Sequence, residues 1–443
     1  METLRRNERH LPSFWSPILA EDRKKWFKMT SLFMVLLTAI IFGILSIYWG
    51  AVHSLQFNLD VATVTIIDLD GGEIGQAIQA FGQASRSATP KDTLGYVSPG
   101  VNQYPTQEAA LKALQNEDFW VGIVAVPGAT DRMNTALTTG NNSYKPNEAL
   151  QVLYQEGRNA LIISELILPK LTTFLNEFVS NFTTNKQSSL LQQNEGNAAA
   201  LATQLRTPIP VGFTLVNKAP YMPTTAEAST EIGSIYIIIA SFITVIMFEQ
   251  LFLQLLGKVG TRTFYLLRMA ALPVIFLLLS AIYLLLSVVW QVPFDRHYGT
   301  AGYVIYWLLS WCGMISFGLT ISNVNDLIGQ PFTAVFFVFW VVSNVTAGFY
   351  PIEFLSNFYR WGLAWPFRHL LTGSKAVIFG TKNTLGLNFG VIIAWIAVGL
   401  LVQPLAIFLW MRKNKARVEQ NRNDVLKRTK DVRQDTSSIS ESI

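Results

Sequence analysis

One acid stands inside an otherwise apolar run of this chain. Glu249 lies within residues 232–256, beside Gln250 and about one turn from Gln254. An ionisable side chain at membrane depth is costly, so it must face protein, water or a partner. Two chemistries suit it: attracting a cationic compound, or carrying a proton. The competing reading is an interhelical hydrogen bond or salt bridge near a helix end, with Arg262 or Arg268 as partner. Glu249 with Gln250 forms the candidate substrate- or proton-coupling site.

Other polar residues offer less. Asp68 and Asp70 sit in Asp68-Leu69-Asp70-Gly71-Gly72. With no histidine or second carboxylate cluster nearby, they read as caps of a strand-to-helix turn before they read as a metal or acid–base pair. His369 reads as structural, Cys312 as a small buried residue, and Asn344, Gln403 and Ser316 as helix-packing groups. The sequence contains no GxxxxGK[ST], HExxH or GxSxG and no Cys/His cluster, so no P-loop, zinc-protease or hydrolase chemistry is indicated. No catalytic residue, metal ligand or cofactor is expected, and the chain reads as a non-enzyme.

The elements that position these residues are membrane helices. Half of the 443 residues are hydrophobic and only 14% are charged, against about 25% in soluble chains. Residues 32–52, LFMVLLTAIIFGILSIYWGAV, carry no charge. As a helix they span about 30 Å, the thickness of the hydrocarbon core. The polar leader before them is too long for a signal peptide, so they read as an uncleaved anchor. After a long gap come apolar stretches at 232–256, 269–290, 301–322, 332–349 and 389–411. The expected fold is an α-helical membrane protein with six transmembrane helices and an extracytoplasmic α/β domain inserted between helices 1 and 2. Its parts are a cytosolic segment 1–31, helix 1 at 32–52, the α/β domain at 53–231, a five-helix domain at 232–411 and a cytosolic tail at 412–443.

Basic residues set the orientation. Arg23, Lys24, Lys25 and Lys28 precede the first span; Lys258, Arg262 and Arg268 lie between the second and third; Arg412, Lys413, Lys415 and Arg417 follow the last. With six spans these groups share one side, which places both termini in the cytosol. The net charge of +5 is therefore mostly a topology signal and not a nucleic-acid surface. Tyr48, Trp49, Trp290 and Trp410 mark expected interfaces.

Within 53–231, Val61–Leu69 reads as a strand, Glu73–Ala84 as a helix, Leu94–Val97 as a strand, Gln107–Asn116 as a helix capped by Thr106, and Phe119–Val126 as a strand. That order predicts a partly parallel sheet. Residues 159–181 and 186–204 read as mainly helical, a stalk or cover. Sequons at Asn141 and Asn181 are candidate glycosylation sites, while a third at Asn344 falls inside a span. The aromatic stretch 351–384, broken at Pro366, reads as an amphipathic hairpin at the interface, with a re-entrant hairpin as the other possibility. The tail mixes nine basic with five acidic residues and reads as disordered beyond the membrane edge.

Five segments carry a family likeness: VTIIDLDGGEIGQAI, FWVGIVAVP, YQEGRNALIISELILP, PYMP and WPFRHLLTG. With the one-plus-five layout, they make the chain resemble the fungal nitrosoguanidine-resistance proteins, a family also catalogued as a domain of unknown function. More broadly, the layout resembles that of the ABC-exporter type-2 permease superfamily. The likeness covers roughly residues 30–412. It implies resistance to toxic compounds, by export of small lipophilic or cationic molecules or by altering the membrane. Type-2 permeases work in pairs, so it also implies a homodimer, with Gly313 and Gly318 as candidate seam residues. Superfamily members use an ATPase subunit; none is evident in this sequence. The expected setting is the lipid bilayer of the plasma membrane, with a small-molecule substrate and no nucleic acid. The other reading is a structural or regulatory membrane protein that organises lipids or partner proteins.

Overall fold

The computed structural model describes residues 12–55, 57–88, 91–100, 103–141 and 143–440, with side chains throughout except at residue 331 and beyond residue 427. Six helices in it are long and apolar enough to cross a bilayer. The first, α1 (Pro17–Leu55), holds the apolar stretch 32–52 but begins a full fifteen residues earlier. At 1.5 Å per residue its 39 residues far exceed a bilayer core of about 30 Å. The charged turn with Arg23, Lys24 and Lys25 therefore extends beyond the apolar part.

Between α1 and the second span lies a five-stranded sheet in the order β2-β1-β3-β4-β5. Its strands are β1 (Thr63–Asp68), β2 (Gly95–Val97), β3 (Val121–Ala125), β4 (Leu150–Tyr154) and β5 (Phe213–Asn217). Only β3 and β4 pair antiparallel; the other pairs are parallel. Helices α2 (Glu73–Ala88), α3 (Gln107–Gln115) and α4 (Ala129–Thr139) follow β1, β2 and β3. Strand β3 is buried along its whole length, as a strand covered on both faces must be. Thr106 caps α3, accepting a hydrogen bond from the Ala109 amide at 3.1 Å. The long helix α5 (Leu168–Gln193) and the short α6 (Ala198–Gln204) follow β4. Leu171, Phe174 and Phe178 of α5 are buried in the sheet's core, so α5 is a cover and not a stalk.

The remaining spans are α7 (Glu231–Leu255), α8 (Thr261–Val289), α9 (Ala301–Ile328), α10 (Gln330–Phe349) and, after a short helix α11 (Pro366–Phe379), α12 (Leu385–Lys413). Helix α9 continues well past Ser322, where the apolar run ends. It stops at Gly329, whose φ of +88° breaks the helix and turns the chain into α10.

Three expectations change here. The stretch after α10 is not an interfacial hairpin. Helix α11 is almost wholly buried, and its Phe367, Leu370 and Leu371 belong to the bundle core with Ile237, Phe276 and Phe317. Covered by protein in this way, it suits the re-entrant alternative, since non-spanning backbone is tolerated at membrane depth only where protein covers it. Asn344, buried in α10, accepts a hydrogen bond from the Phe367 amide at 3.2 Å and satisfies one free donor at the start of α11. Second, the tail forms helix α13 (Lys415–Ser440), beginning with an i,i+4 pair between Lys415 and Glu419. Third, Gly313 and Gly318 face inward. A Cβ on Gly318 would come within 2.3 Å of the Phe276 ring, and one on Gly313 within 3.2 Å of Leu370, so both serve packing within the chain.

The sheet and the bundle share a core. Ala51 of α1, Tyr350, Phe354, Leu355 and Tyr359 pack into the same cluster as Trp120, Ile123 and Val152 of the sheet. The 3₁₀ turns Ile352–Phe354 and Asn357–Ala364 thus join the end of α10 to the sheet.

Candidate functional site

Glu249 is a member of a buried ion network joining four spans. It sits six residues before the end of α7 and is only 5% exposed. Its Oε2 accepts a hydrogen bond from Arg268 Nη2 of α8 at 2.9 Å, and its Oε1 accepts one from Trp410 Nε1 of α12 at 2.5 Å. Arg268 Nη2 also donates to Asp326 Oδ1 of α9. The guanidinium lies over the Trp410 ring, 4.1 Å from its centroid, with Phe252 at 5.2 Å. Arg268 is 2% and Asp326 1% exposed.

The network follows from helix geometry. Glu249 and Phe252 are three residues apart on α7 and so share a face. That face meets Phe264 and Arg268 of α8, four residues apart, and Trp410 of α12, stacked on Phe264 at 6.0 Å. Aromatic rings wall the ions off, and burial in such surroundings requires pairing. Arg268 suits the place because a planar guanidinium stacks on indole while bonding carboxylates in its plane.

The pairing is unequal: two carboxylates face one guanidinium. Among the described residues, Oδ2 of Asp326 and Nε and Nη1 of Arg268 are buried without a hydrogen-bond partner. Glu249 has both oxygens engaged, whereas Asp326 has one free. Lys413 donates to the Leu327 carbonyl, next in sequence to Asp326.

Of the residues singled out by sequence, Glu249 lies in this network and Gln250 does not. Gln250 and Gln254 are exposed on the outer side of α7. The Arg268 pairing is the salt bridge weighed as the competing reading. Asp326 and Trp410 are the partners that sequence reasoning missed. Trp410 reads as an interface residue, yet it is buried with its indole N–H on Glu249. Asp326 falls beyond the apolar run; continuing the α9 period to Gly329 would have found it.

The other candidates resolve as follows. Asp68 Oδ1 accepts from the Asp70 amide at 3.0 Å and the Gly71 amide at 2.8 Å, and Asp70 holds the Thr130 amide at 3.0 Å and its hydroxyl. They stitch the β1–α2 turn to the start of α4. His369 is buried between Asn388 Oδ1 and the Leu363 carbonyl. Cys312 is half-buried. Asn141 is exposed in the loop after α4, although its neighbour Asn142 lies outside the described residues; Asn181 is exposed in the middle of α5. Among the described residues no group of three His, Cys, Asp or Glu side chains could hold a metal ion.

Comparison with known proteins finds a family and curated relatives. The family described as "Protein of unknown function (DUF3533)" matches residues 33–401. An endoplasmic reticulum membrane protein of Saccharomyces cerevisiae, described as uncharacterized, is 24% identical over 421 residues, covering 88% of this chain and 82% of its own. No solved structure matches.

Proposed function

The chain is a multi-pass membrane protein of the DUF3533 family, and we propose that it confers resistance to toxic compounds by moving small lipophilic or cationic molecules across its membrane. The observation that carries this reading is the surplus carboxylate in the buried network. Glu249, Asp326 and Arg268 together hold one more acid than base. Such a site favours a proton or a cationic group, and the free Oδ2 of Asp326 is the atom positioned to take it. Proton exchange there supplies a source of work to a chain whose sequence lacks a P-loop, as the likeness to type-2 permeases would otherwise require an ATPase partner.

In this reading the sheet-bearing segment is an extracytoplasmic α/β domain, both termini face the cytosol, and the protein acts as a homodimer without enzymatic chemistry. The yeast relative is described as an endoplasmic reticulum protein, which favours an internal membrane over the plasma membrane for this chain. Membrane vesicles from cells expressing the chain should then take up a fluorescent lipophilic cation faster than vesicles from cells lacking it. Equal uptake would remove the transport reading.

One observation favours a second reading. The network also clamps four helices together through a pair that has both Glu249 oxygens satisfied. A membrane protein that only organises lipids or partners would need no more than this clamp. Equal uptake together with an altered lipid distribution in the expressing cells would select it.

A further inference from the structure

A second polar site lies where the sheet meets the bundle. A cavity of about 70 Å³ opens there between Trp120, Arg158, Glu353, Arg368 and Lys375. That is several times the ~10–15 Å³ a single water needs. It is polar at a place where apolar packing joins the two halves of the molecule.

The charges around it are unequally matched. Arg158 is fully engaged. Its Nη2 donates to Glu353 at 3.1 Å, its Nη1 to the Phe119 carbonyl at 3.1 Å, and its Nε lies 3.7 Å from Glu117. Its guanidinium also covers the Trp120 ring at 3.6 Å. Lys375 is held by Glu231 at 2.6 Å. Arg368 is different. Its only hydrogen bond among the described residues is a long one, 3.5 Å, to the Ala347 carbonyl, and it forms no ion pair. Burial pulls its guanidinium below the usual arginine range, and Glu353 and Glu117 offset this only in part.

The sum has a shape. Lys375 with Glu231 is neutral. Arg158 with Glu117 and Glu353 carries one surplus negative charge, and Arg368 carries the balancing positive charge without forming an ion pair among the described residues. One cavity therefore has a cationic and an anionic wall, and the cationic wall is a guanidinium with free donors. Guanidinium binds phosphate through parallel N–H bonds, while paired carboxylates favour an ammonium.

We propose that this cavity binds a zwitterionic phosphate–amine group, with the phosphate on Arg368 and the amine toward Glu117 and Glu353. The group could be supplied by a phosphatidylethanolamine headgroup or by free phosphoethanolamine. The site stands apart from the Glu249 network and does not depend on the transport reading.

The test has two arms on the purified full-length chain. In detergent, the chain is titrated with O-phosphoethanolamine and with inorganic phosphate. In nanodiscs, its Tm is compared between phosphatidylethanolamine and phosphatidylglycerol, which has a phosphate but no amine. Binding of O-phosphoethanolamine at least tenfold tighter than phosphate identifies the free source. Stabilisation in phosphatidylethanolamine alone identifies the lipid. Either preference should be lost at least tenfold, or abolished, in Arg368→Gln, and kept in Arg360→Gln, an exposed arginine on the preceding turn. Arg368→Lys keeps the charge but not the fork, and covers the case in which Arg368→Gln does not fold; it should weaken binding severalfold. Failure of both amine-bearing ligands to outdo their amine-free controls overturns the proposal, as does unchanged preference in the Arg368 variants.

Discussion

Glu249 and Asp326 share one guanidinium, and that ratio decides what each substitution does. Glu249→Gln leaves one acid on one base. It forfeits one of the two hydrogen bonds that Glu249 accepts, at a cost of about 1.5–3 kcal/mol, while relieving the surplus charge. Resistance per molecule should fall while the protein still reaches the membrane, as growth on a toxic cation and membrane abundance measured in the same cells would show. Full resistance in Glu249→Gln would remove the residue from the mechanism. Arg268→Gln does the opposite. It strands two buried carboxylates, costing about 3–5 kcal/mol, so abundance and Tm should both drop sharply. Sequence exposed Glu249 because an acid inside an apolar run is conspicuous. It concealed Asp326, which sits among Ser322, Asn323 and Asn325 at the polar end of α9. It misplaced Trp410, because interface and core tryptophans have the same flanking residues until a partner helix is known.

At the scale of elements, hydropathy found the spans because their signal is long and local. It also found β1, β3, α2 and α3, whose apolar spacing and turn residues agree. It did not find β4, β5 or α4. Strands β4 and β5 are five residues each and separated by a long helical cover, so nothing local ties them into one sheet. The burial of α11 was equally hidden. Its sequence is amphipathic enough to suit an interface, and only the surrounding α9, α10 and α12 make it a core helix. Gly318 shows why those helices can close on one another. A Cβ there would lie 2.3 Å from the Phe276 ring, which forces the α8–α9 contact apart. Gly318→Ala should therefore lower stability by about 1–3 kcal/mol, read as a fall in Tm of the purified protein. An unchanged Tm would mean that α8 and α9 do not meet at this point.

For the whole molecule, the proposed topology puts the basic residues at three membrane edges on one side and the sheet-bearing segment on the other. This orientation makes the sequons a reporter. Asn141 lies in an exposed loop and Asn181 is exposed in the middle of α5. In a eukaryotic host, glycosidase should shift the mass of the wild type, and the double variant Asn141→Gln, Asn181→Gln should abolish the shift; no shift in the wild type would count against this orientation. A fold of one-plus-five helices with a buried acid surplus accounts for transport only if the chain can perform it alone. Purified wild-type protein in liposomes under an imposed proton gradient is the direct measurement. The account predicts gradient-dependent accumulation of a fluorescent lipophilic cation several-fold above protein-free liposomes, with Glu249→Gln close to the protein-free level. Wild-type accumulation equal to that of protein-free liposomes would contradict it.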